Sequence, residues 1–236
     1  MKDTVPPDII ASAQRSIPEA VYEWLRVSIF EGRFQPGEML RQEDLARQMG
    51  VSRVPVREAL QRLEGQGQVV LYPRRGYAVT SLDRDEILEV FELRMLVEER
   101  AARDSTRWRT EVDMARVRSL LAQMDAVQPV HGPETIARWS ELNLQFHDAL
   151  LSCGKRRYMH RLASTLRSVV EPYIRMEASM TGGLAQAQEE HHAMVAAFEE
   201  GDADAVARIS REHCQHTAER LLAGLDHADA DGRQGP

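Results

Sequence analysis

The chain has 236 residues, of which 43% are apolar and 28% charged, and its net charge at pH 7 is −7. This length suits one large or two ordinary domains, and the composition is that of a globular protein. It excludes a membrane helix, which needs about 18 consecutive apolar residues, and a disulfide framework, because Cys153 and Cys214 are the only cysteines.

The first third of the chain predicts helices followed by a β-hairpin. Residues 1–17 are proline-containing and predict a flexible leader without an export signal, so we expect a cytoplasmic protein. Apolar spacing predicts three helices, over 19–32, 43–49 and 54–65. Two β-rich segments, 69–72 and 77–80, flank the turn residues 73–76. Together they predict a winged helix-turn-helix domain over 18–82.

From residue 83 onward the apolar spacing is helical throughout, which predicts an all-α domain over 83–225. The six predicted helices cover 83–105, 110–127, 134–153, 156–180, 184–200 and 202–225, and Asp202 is the expected N-cap of the last. The polar residues 226–236 predict a disordered tail. The predicted fold is mainly α: an N-terminal winged helix-turn-helix and a C-terminal six-helix antiparallel bundle.

Charge is distributed unevenly between the two predicted domains. Residues 1–80 carry 11 Lys/Arg and 10 Asp/Glu, whereas residues 81–236 carry 19 and 27. Residues 50–79 alone hold five arginines against two glutamates. Because binding to DNA depends on the charge next to the phosphates, an acidic protein with such a basic segment is compatible with nucleic acid.

The segment after Gly50 carries the candidate DNA contacts. The second helix of a helix-turn-helix enters the major groove, and Arg53 and Arg57 share one face at its start. An arginine there can bind guanine O6 and N7 with two hydrogen bonds, and Ser52 can meet a phosphate. The hairpin tip adds Arg74, Arg75 and Gly76, at the minor groove or the phosphates. The alternative is that these arginines only form a solvated helix face. We adopt that interpretation for Arg62, but not for the combined turn, cap, spaced arginines and basic hairpin tip.

Histidines fall on the apolar stripes of three predicted bundle helices. Asn143 and His147 share one stripe, and His191 and His213 lie on two others. If the stripes converge, three imidazoles and an amide suit a divalent metal with open positions. The alternative is hydrogen-bonded core histidines, and His192 and His216 remain alternatives because each lies next to a stripe or within one turn of it.

Four segments of the chain carry a family resemblance. "PGEMLRQEDLARQMGVSRVPVREALQRLEGQG" resembles the signature of the GntR family of bacterial regulators, although Glu43 stands at a position that is basic in some members, so no DNA contact is assigned to it. "FELRMLVEERAA", "NLQFHDALL" and "EEHHAMVAAFEEGDADAVARISREHC" resemble the FCD ligand-binding domain of the FadR branch. With six predicted helices rather than seven, the domain is more similar to the VanR-like subgroup of that branch.

The resemblance implies a metal site and an effector site. Many FCD domains hold a divalent metal through an Asp or Asn and three His, which implies Asn143, His147, His191 and His213 here, with zinc first and nickel, manganese or iron as alternatives. It also implies a small carboxylate effector that binds Arg94, whose alternative is a salt bridge with Glu98.

Three hypotheses for the function follow. The first is a homodimeric repressor of catabolic genes that binds a palindromic double-stranded operator and releases it on binding an organic acid, with no membrane partner and no enzymatic activity. The second is a metal hydrolase or lyase with a DNA-binding appendage, which lacks an HExxH-type pair. In the third, the histidines are structural and the helical domain only dimerises.

Overall fold

The computed structural model describes residues 16–127, 132–181 and 184–232. Contacts divide the chain between Leu82 and Asp83 into two compact units. Most of the predicted leader, residues 1–15, lies outside the described residues, as do residues 233–236 of the predicted tail.

Over residues 16–82, the described part of the N-terminal unit, the chain forms three helices and a small sheet. Its helices are α1 (Ile17–Phe30), α2 (Gln42–Met49) and α3 (Arg53–Glu64), and its strands are β1 (Met39–Leu40), β2 (Val69–Tyr72) and β3 (Gly76–Val79). The sheet is antiparallel in the order β1-β3-β2. This arrangement confirms the winged helix-turn-helix, with β1 added because a two-residue strand is too short for a period-2 pattern.

A tight turn joins α2 to α3. Gly50 ends α2 in the left-handed region at φ +64°, which glycine adopts without steric cost. Ser52 is the N-cap of α3, as predicted, but its side chain makes no capping hydrogen bond. Apolar side chains of the three helices and the sheet share one core, including Val21, Leu25, Ile29, Leu45, Val56, Leu60, Leu63 and Val79.

The hairpin tip contains a non-glycine residue in the left-handed region. Arg74 has φ +67° and follows Pro73, and the Arg75 amide donates to the Tyr72 carbonyl at 3.0 Å. A type II turn requires a positive φ at its third residue, the position of Arg74, where glycine is favoured, and it commonly has proline at its second. A positive charge therefore stands here at a conformational cost of about 1–2 kcal/mol.

We expect Arg74→Gly to stabilise the N-terminal unit by about 0.5–1 kcal/mol, because relief of the left-handed strain exceeds the entropy that glycine adds to the unfolded chain. Hydrogen exchange of peptides from residues 16–82 measures this local stability. Arg75→Gly is the matched control, since Arg75 is exposed in the same turn without a positive φ. Equal protection in the two variants would contradict the expectation.

The C-terminal unit is helical throughout its described residues. Its helices are α4 (Arg84–Trp108), α5 (Glu111–Ala126), α6 (Pro133–Ser152), α7 (Arg157–Thr181), α8 (Leu184–Glu200) and α9 (Ala203–Gly232). Capping boxes begin α4 at Asp83 and α5 at Thr110, and Asp202 Oδ1 accepts from the Ala205 amide at 2.9 Å, which confirms that cap. A mainly α fold with a helical C-terminal domain is confirmed.

Two predicted helix ends differ from the structure by more than two residues. Helix α4 continues three residues past the predicted end at 105, to Trp108. Helix α9 is described as far as Gly232, whereas the predicted last helix ends at 225. Neither extension contains proline, and residues 226–231 carry two alanines, so both sequences are compatible with a longer helix.

The six helices surround a second apolar core. Its largest members are Trp139, Phe146, Phe198, Met124, Leu142 and Met194. Within the described ranges, none of the helices combines the length and apolar character that crossing a bilayer requires. The core lies beside a group of buried polar residues on α4, α6, α7, α8 and α9, which form the candidate site of this unit.

Candidate functional site

The predicted DNA contacts lie at the exposed N-terminal end of α3 and at the hairpin tip. Ser52, Arg53 and Arg57 are exposed, and Arg53 is the first residue of α3. Arg53 Nη1 donates to Glu43 Oε1 of α2 at 2.8 Å, a contact that the sequence did not reveal. Arg74 and Arg75 are also exposed, whereas Gly76 is half-buried in β3 with φ +101°.

Arg62 lies on α3 but belongs to a different surface. Its guanidinium stacks 3.6 Å from the ring centroid of Tyr22, and its Nη1 donates to Glu19 at 2.7 Å. Both partners are on α1, so Arg62 links two helices of the N-terminal unit. This agrees with leaving it out of the DNA contacts.

Three buried histidines from different helices form a cluster in the C-terminal unit. One ligand atom of each of His147, His191 and His213 lies within 4.8 Å of the others, in a cluster found among the described residues. His147 Nε2 and His191 Nε2 are 3.1 Å apart. Zinc bonds of about 2.0–2.1 Å place two imidazole nitrogens roughly 3.3 Å apart, so the spacing fits a shared ion.

The predicted fourth ligand is buried on the same helix as His147. Asn143 precedes His147 by one turn of α6, and its side chain is 7% exposed. Its Oδ1 has no hydrogen-bond partner among the described residues. A buried amide oxygen without a partner is costly, and a metal ion would satisfy it. His192 and His216, the alternatives from the sequence, are partly exposed and lie outside the cluster.

Neighbouring acceptors orient two of the imidazoles. His213 Nδ1 donates to Glu190 Oε2 at 2.6 Å, and His191 Nδ1 lies 3.4 Å from Gln188 Oε1. With the proton on Nδ1, the Nε2 lone pair is available to a metal. Glu190 also accepts from His216 Nδ1 at 2.6 Å, so one carboxylate of α8 binds two imidazoles of α9.

The electrostatics of the cluster favour neutral imidazoles. Burial, followed by the charge of Arg167, holds the pKa of His147 well below its usual range, and burial has the same effect on the pKa of His191. Burial also lowers the pKa of His213, although Glu190 opposes it. Burial raises the pKa of Glu190, but the hydrogen bonds from His213 and His216 outweigh it and lower that pKa to about 2. Neutral imidazoles are the form that binds metal.

A buried ion network adjoins the histidines. Arg94 Nε donates to Glu98 Oε1 at 2.8 Å, with both side chains 1% exposed. Arg167 Nη2 and the Cys214 thiol donate to the other oxygen, Glu98 Oε2. The salt-bridge alternative for Arg94 is therefore present, yet Arg94 Nη1 and Arg167 Nε have no partner among the described residues.

A second carboxylate, Glu171, only partly balances the two arginines. It is 3% exposed, and burial raises its pKa to about 7 against the opposing charges of Arg175, Arg94 and Arg167. Near neutral pH the buried arginines therefore exceed the buried negative charge. Such a surplus, with unpartnered N–H groups, suits an anion.

We expect the free energy of unfolding of the Glu171→Gln variant to depend less on pH than that of the wild type. A carboxyl whose pKa rises on folding contributes stability below its unfolded pKa of about 4.5 and loses it as pH rises through about 7. Between pH 4.5 and 8 the wild type should lose on the order of 2–3 kcal/mol relative to the variant. Urea denaturation of metal-free protein across this range measures the difference, and parallel pH curves for the two proteins would contradict it.

A cavity of about 210 Å³ opens beside the cluster. Helices α6 and α7 form most of its wall, and His147 and Arg167 both line it. On the same wall Asp148 accepts from His160 Nε2 at 2.7 Å and from Ser164 Oγ at 3.3 Å. The cavity therefore reaches both a candidate metal ligand and a buried arginine.

Sequence reasoning missed Glu190 and Arg167. A sequence signal for Arg167 did exist. Arg167 and Glu171 are one helical turn apart, and both lie on a stripe of α7 whose apolar members Ala163 and Val170 are buried. Glu190 had none, since its contacts depend on how α8 packs against α9. The structure brings the three histidines together as predicted and places Arg94 in the ion network.

Comparison with known proteins identifies both units. The family model of bacterial regulatory proteins of the GntR family matches residues 18–79, and the FCD domain model matches residues 89–216. An uncharacterized HTH-type transcriptional regulator, BphR of Paraburkholderia xenovorans, is 31% identical over 207 residues, which cover 85% of this chain and 83% of that protein.

Two further relatives agree with this assignment. The HTH-type transcriptional repressor GlaR of Escherichia coli is 27% identical over 202 residues, covering 81% of this chain and 90% of its own. The structure of Escherichia coli McbR/YncC covers 90% of this chain and 100% of its own with a TM-score of 0.78 at 22% identity, which shows the same fold. The matched family and relatives are transcriptional regulators and not enzymes, which argues against the hydrolase or lyase hypothesis. The chain therefore belongs to the GntR family of bacterial regulatory proteins and carries an FCD domain in its C-terminal unit.

Proposed function

We propose that the chain is a cytoplasmic, homodimeric repressor that releases a palindromic operator of catabolic genes when a small organic acid binds beside a metal ion in the C-terminal unit. The observation that carries this proposal is the cavity that touches both the three-histidine cluster and Arg167. The relative named GlaR is a repressor, which supports that sign of regulation. The VanR-like subgroup stays a prediction.

The metal would be held by Asn143, His147, His191 and His213, with zinc first and nickel, manganese or iron as alternatives. A bound divalent ion supplies positive charge and open coordination positions for a carboxylate. Three neutral nitrogens and an amide leave the charge of such an ion uncompensated, so an anionic ligand is favoured.

The protein itself adds two cationic groups for the effector. Arg94, the effector residue predicted from the resemblance, has an unpartnered Nη1 although Glu98 occupies its Nε. Arg167 offers an unpartnered Nε and lines the cavity. A carboxylate that accepts from these groups would complete the buried ion network and exclude water from it.

Regulation then follows from differential binding. The effector releases DNA only to the extent that it binds the DNA-free conformation more tightly than the DNA-bound one. A two-fold dimer presents two recognition helices to two half-sites, which is why the operator is palindromic. Leu93 and Leu96 on α4 are 43% and 70% exposed, which supports an apolar face for the second copy.

The DNA-binding part is tested with duplexes that the full chain selects from a random-sequence pool. Arg57→Ala should weaken binding to the selected duplex about tenfold or more, because one bidentate contact to guanine is worth about 1–3 kcal/mol. Arg118→Ala, an exposed arginine of the C-terminal unit, is the control. If Arg53→Ala and Arg57→Ala both leave binding intact, the assignment of α3 as the recognition helix is wrong.

The metal and effector parts are tested on tag-free protein. We expect bound metal, a lower melting temperature in EDTA, and loss of both effects in His147→Ala. Less than about a tenth of an equivalent of metal with an unchanged melting temperature would instead support structural histidines. Organic acids that raise the melting temperature of the metal-loaded protein are then tested for release of the selected duplex, and Arg94→Ala and Arg167→Ala should abolish that release.

A further inference from the structure

An acidic residue faces the start of the recognition helix. Glu43 lies in the first turn of α2, and its Oε1 accepts from Nη1 of Arg53, the first residue of α3, at 2.8 Å. The two side chains are 69% and 64% exposed. The ion pair therefore stands in solvent, on the end of α3 that the proposed function directs at DNA.

Stability does not account for this pair. Exposed ion pairs contribute little to folding because solvent screens them and two long side chains lose freedom. Helices α2 and α3 are already joined by the Gly50 turn and by buried contacts of Leu45 and Met49 with the core that Val56 belongs to. The pair therefore matters mainly through its effect on the DNA groups that Arg53 can bind.

A carboxylate at Arg53 changes which DNA groups that arginine can bind. An unpaired arginine binds the phosphates of any sequence, and each such contact releases counterions. The pair with Glu43 offsets the charge and occupies one of five N–H donors, which leaves donors for guanine O6 and N7. The Glu43 carboxylate also repels phosphates directly.

We propose that Glu43 is a specificity-determining residue, which positions Arg53 for base contacts and keeps it from phosphates. The inference rests on the proposed role of Arg53 in DNA binding and adds to it. Glu43 thus raises the ratio of operator affinity to non-specific affinity without being required for the fold.

The test compares two duplexes of equal length: one selected from a random-sequence pool by the wild-type chain, and a shuffled version of it. For Glu43→Gln we expect the ratio of the two affinities to fall about tenfold, mainly through tighter binding to the shuffled duplex. The salt dependence on that duplex should steepen by about 0.9 in log K per log salt, the value of one added phosphate contact.

Asp44→Asn is the matched control. Asp44 is also exposed in α2 and also pairs with an arginine, Arg47, at 2.8 Å, but that pair stays within α2. The Asp44→Asn substitution removes the same charge one residue away, and it should leave the ratio of the two duplex affinities within about twofold of wild type. Circular dichroism verifies that each exposed substitution leaves the fold intact.

The double variant separates the inference from its premise. In an Arg53→Ala background, Glu43→Gln should have no further effect, since the residue that it positions is gone. A ratio that falls equally with and without Arg53 would show that Glu43 acts on DNA itself, and a ratio unchanged by Glu43→Gln would also overturn the proposal. If Arg53→Ala changes neither affinity, Arg53 has no role in DNA binding, and the inference about Glu43 fails with it. If Arg53→Ala weakens binding to the selected duplex but Glu43→Gln changes nothing, only the inference fails and the proposed function stands.

Discussion

Glu98→Ala should lower the free energy of unfolding by about 3–5 kcal/mol, because it leaves two buried guanidinium groups without their shared carboxylate. Glu98 is fully buried and accepts from Arg94, Arg167 and the Cys214 thiol. The positive charges of Arg167 and Arg94 outweigh burial and keep the pKa of Glu98 below its usual value, so the lost group is a carboxylate at neutral pH.

Urea denaturation and thermal melting measure this loss, which corresponds to a melting temperature roughly 6–20 °C lower. Glu99→Ala is the control, because Glu99 is the next residue of α4 and pairs with Arg103 at 3.5 Å near the surface. It should cost at most about 1 kcal/mol. Similar losses in the two variants would mean that the buried network does not depend on Glu98.

Glu190→Gln should weaken zinc binding by about 10–100-fold, the usual effect of removing an acceptor that orients a metal-binding imidazole. The carboxylate that now fixes the His213 proton on Nδ1 becomes a neutral amide, which accepts a weaker hydrogen bond and can also turn its N–H₂ toward the ring. Both changes leave the Nε2 lone pair less available.

Competition with a chromophoric chelator at pH 7.5 measures this affinity independently of DNA binding. Glu189→Gln provides the comparison, because Glu189 precedes Glu190 on α8 and is exposed. It removes the same charge from the same helix, so only a general electrostatic effect would act in both variants. If the two substitutions weaken zinc equally, Glu190 does not orient His213.

The sequence predicted those features that depend on local spacing. The end of α8 at Glu200 is the same in the prediction and in the structure, since Gly201 follows it with φ +82°. The stripe positions of His147, His191 and His213 likewise follow from the 3.6-residue period. The structure buries all three of these histidines, as expected for positions on apolar stripes.

The sequence did not predict contacts that depend on how helices pack. His213 and Glu190 are 23 residues apart, and Arg167 and Glu98 are 69 apart. Their pairing is decided by the rotation of each helix about its axis, which spacing within one helix leaves open. The pair of Glu43 and Arg53 is closer in sequence but depends on the angle that Gly50 sets between α2 and α3.

The buried thiol in the ion network also has a kinetic consequence. Burial raises the pKa of Cys214 to about 12, and its side chain is inaccessible to solvent. A maleimide reacts with an exposed thiolate, so Cys214 is labelled only while the bundle is transiently open. In a Cys153→Ser background, the labelling rate of Cys214 is a clock for that opening, and it slows to the extent that a metal ion or an organic acid binds the closed bundle.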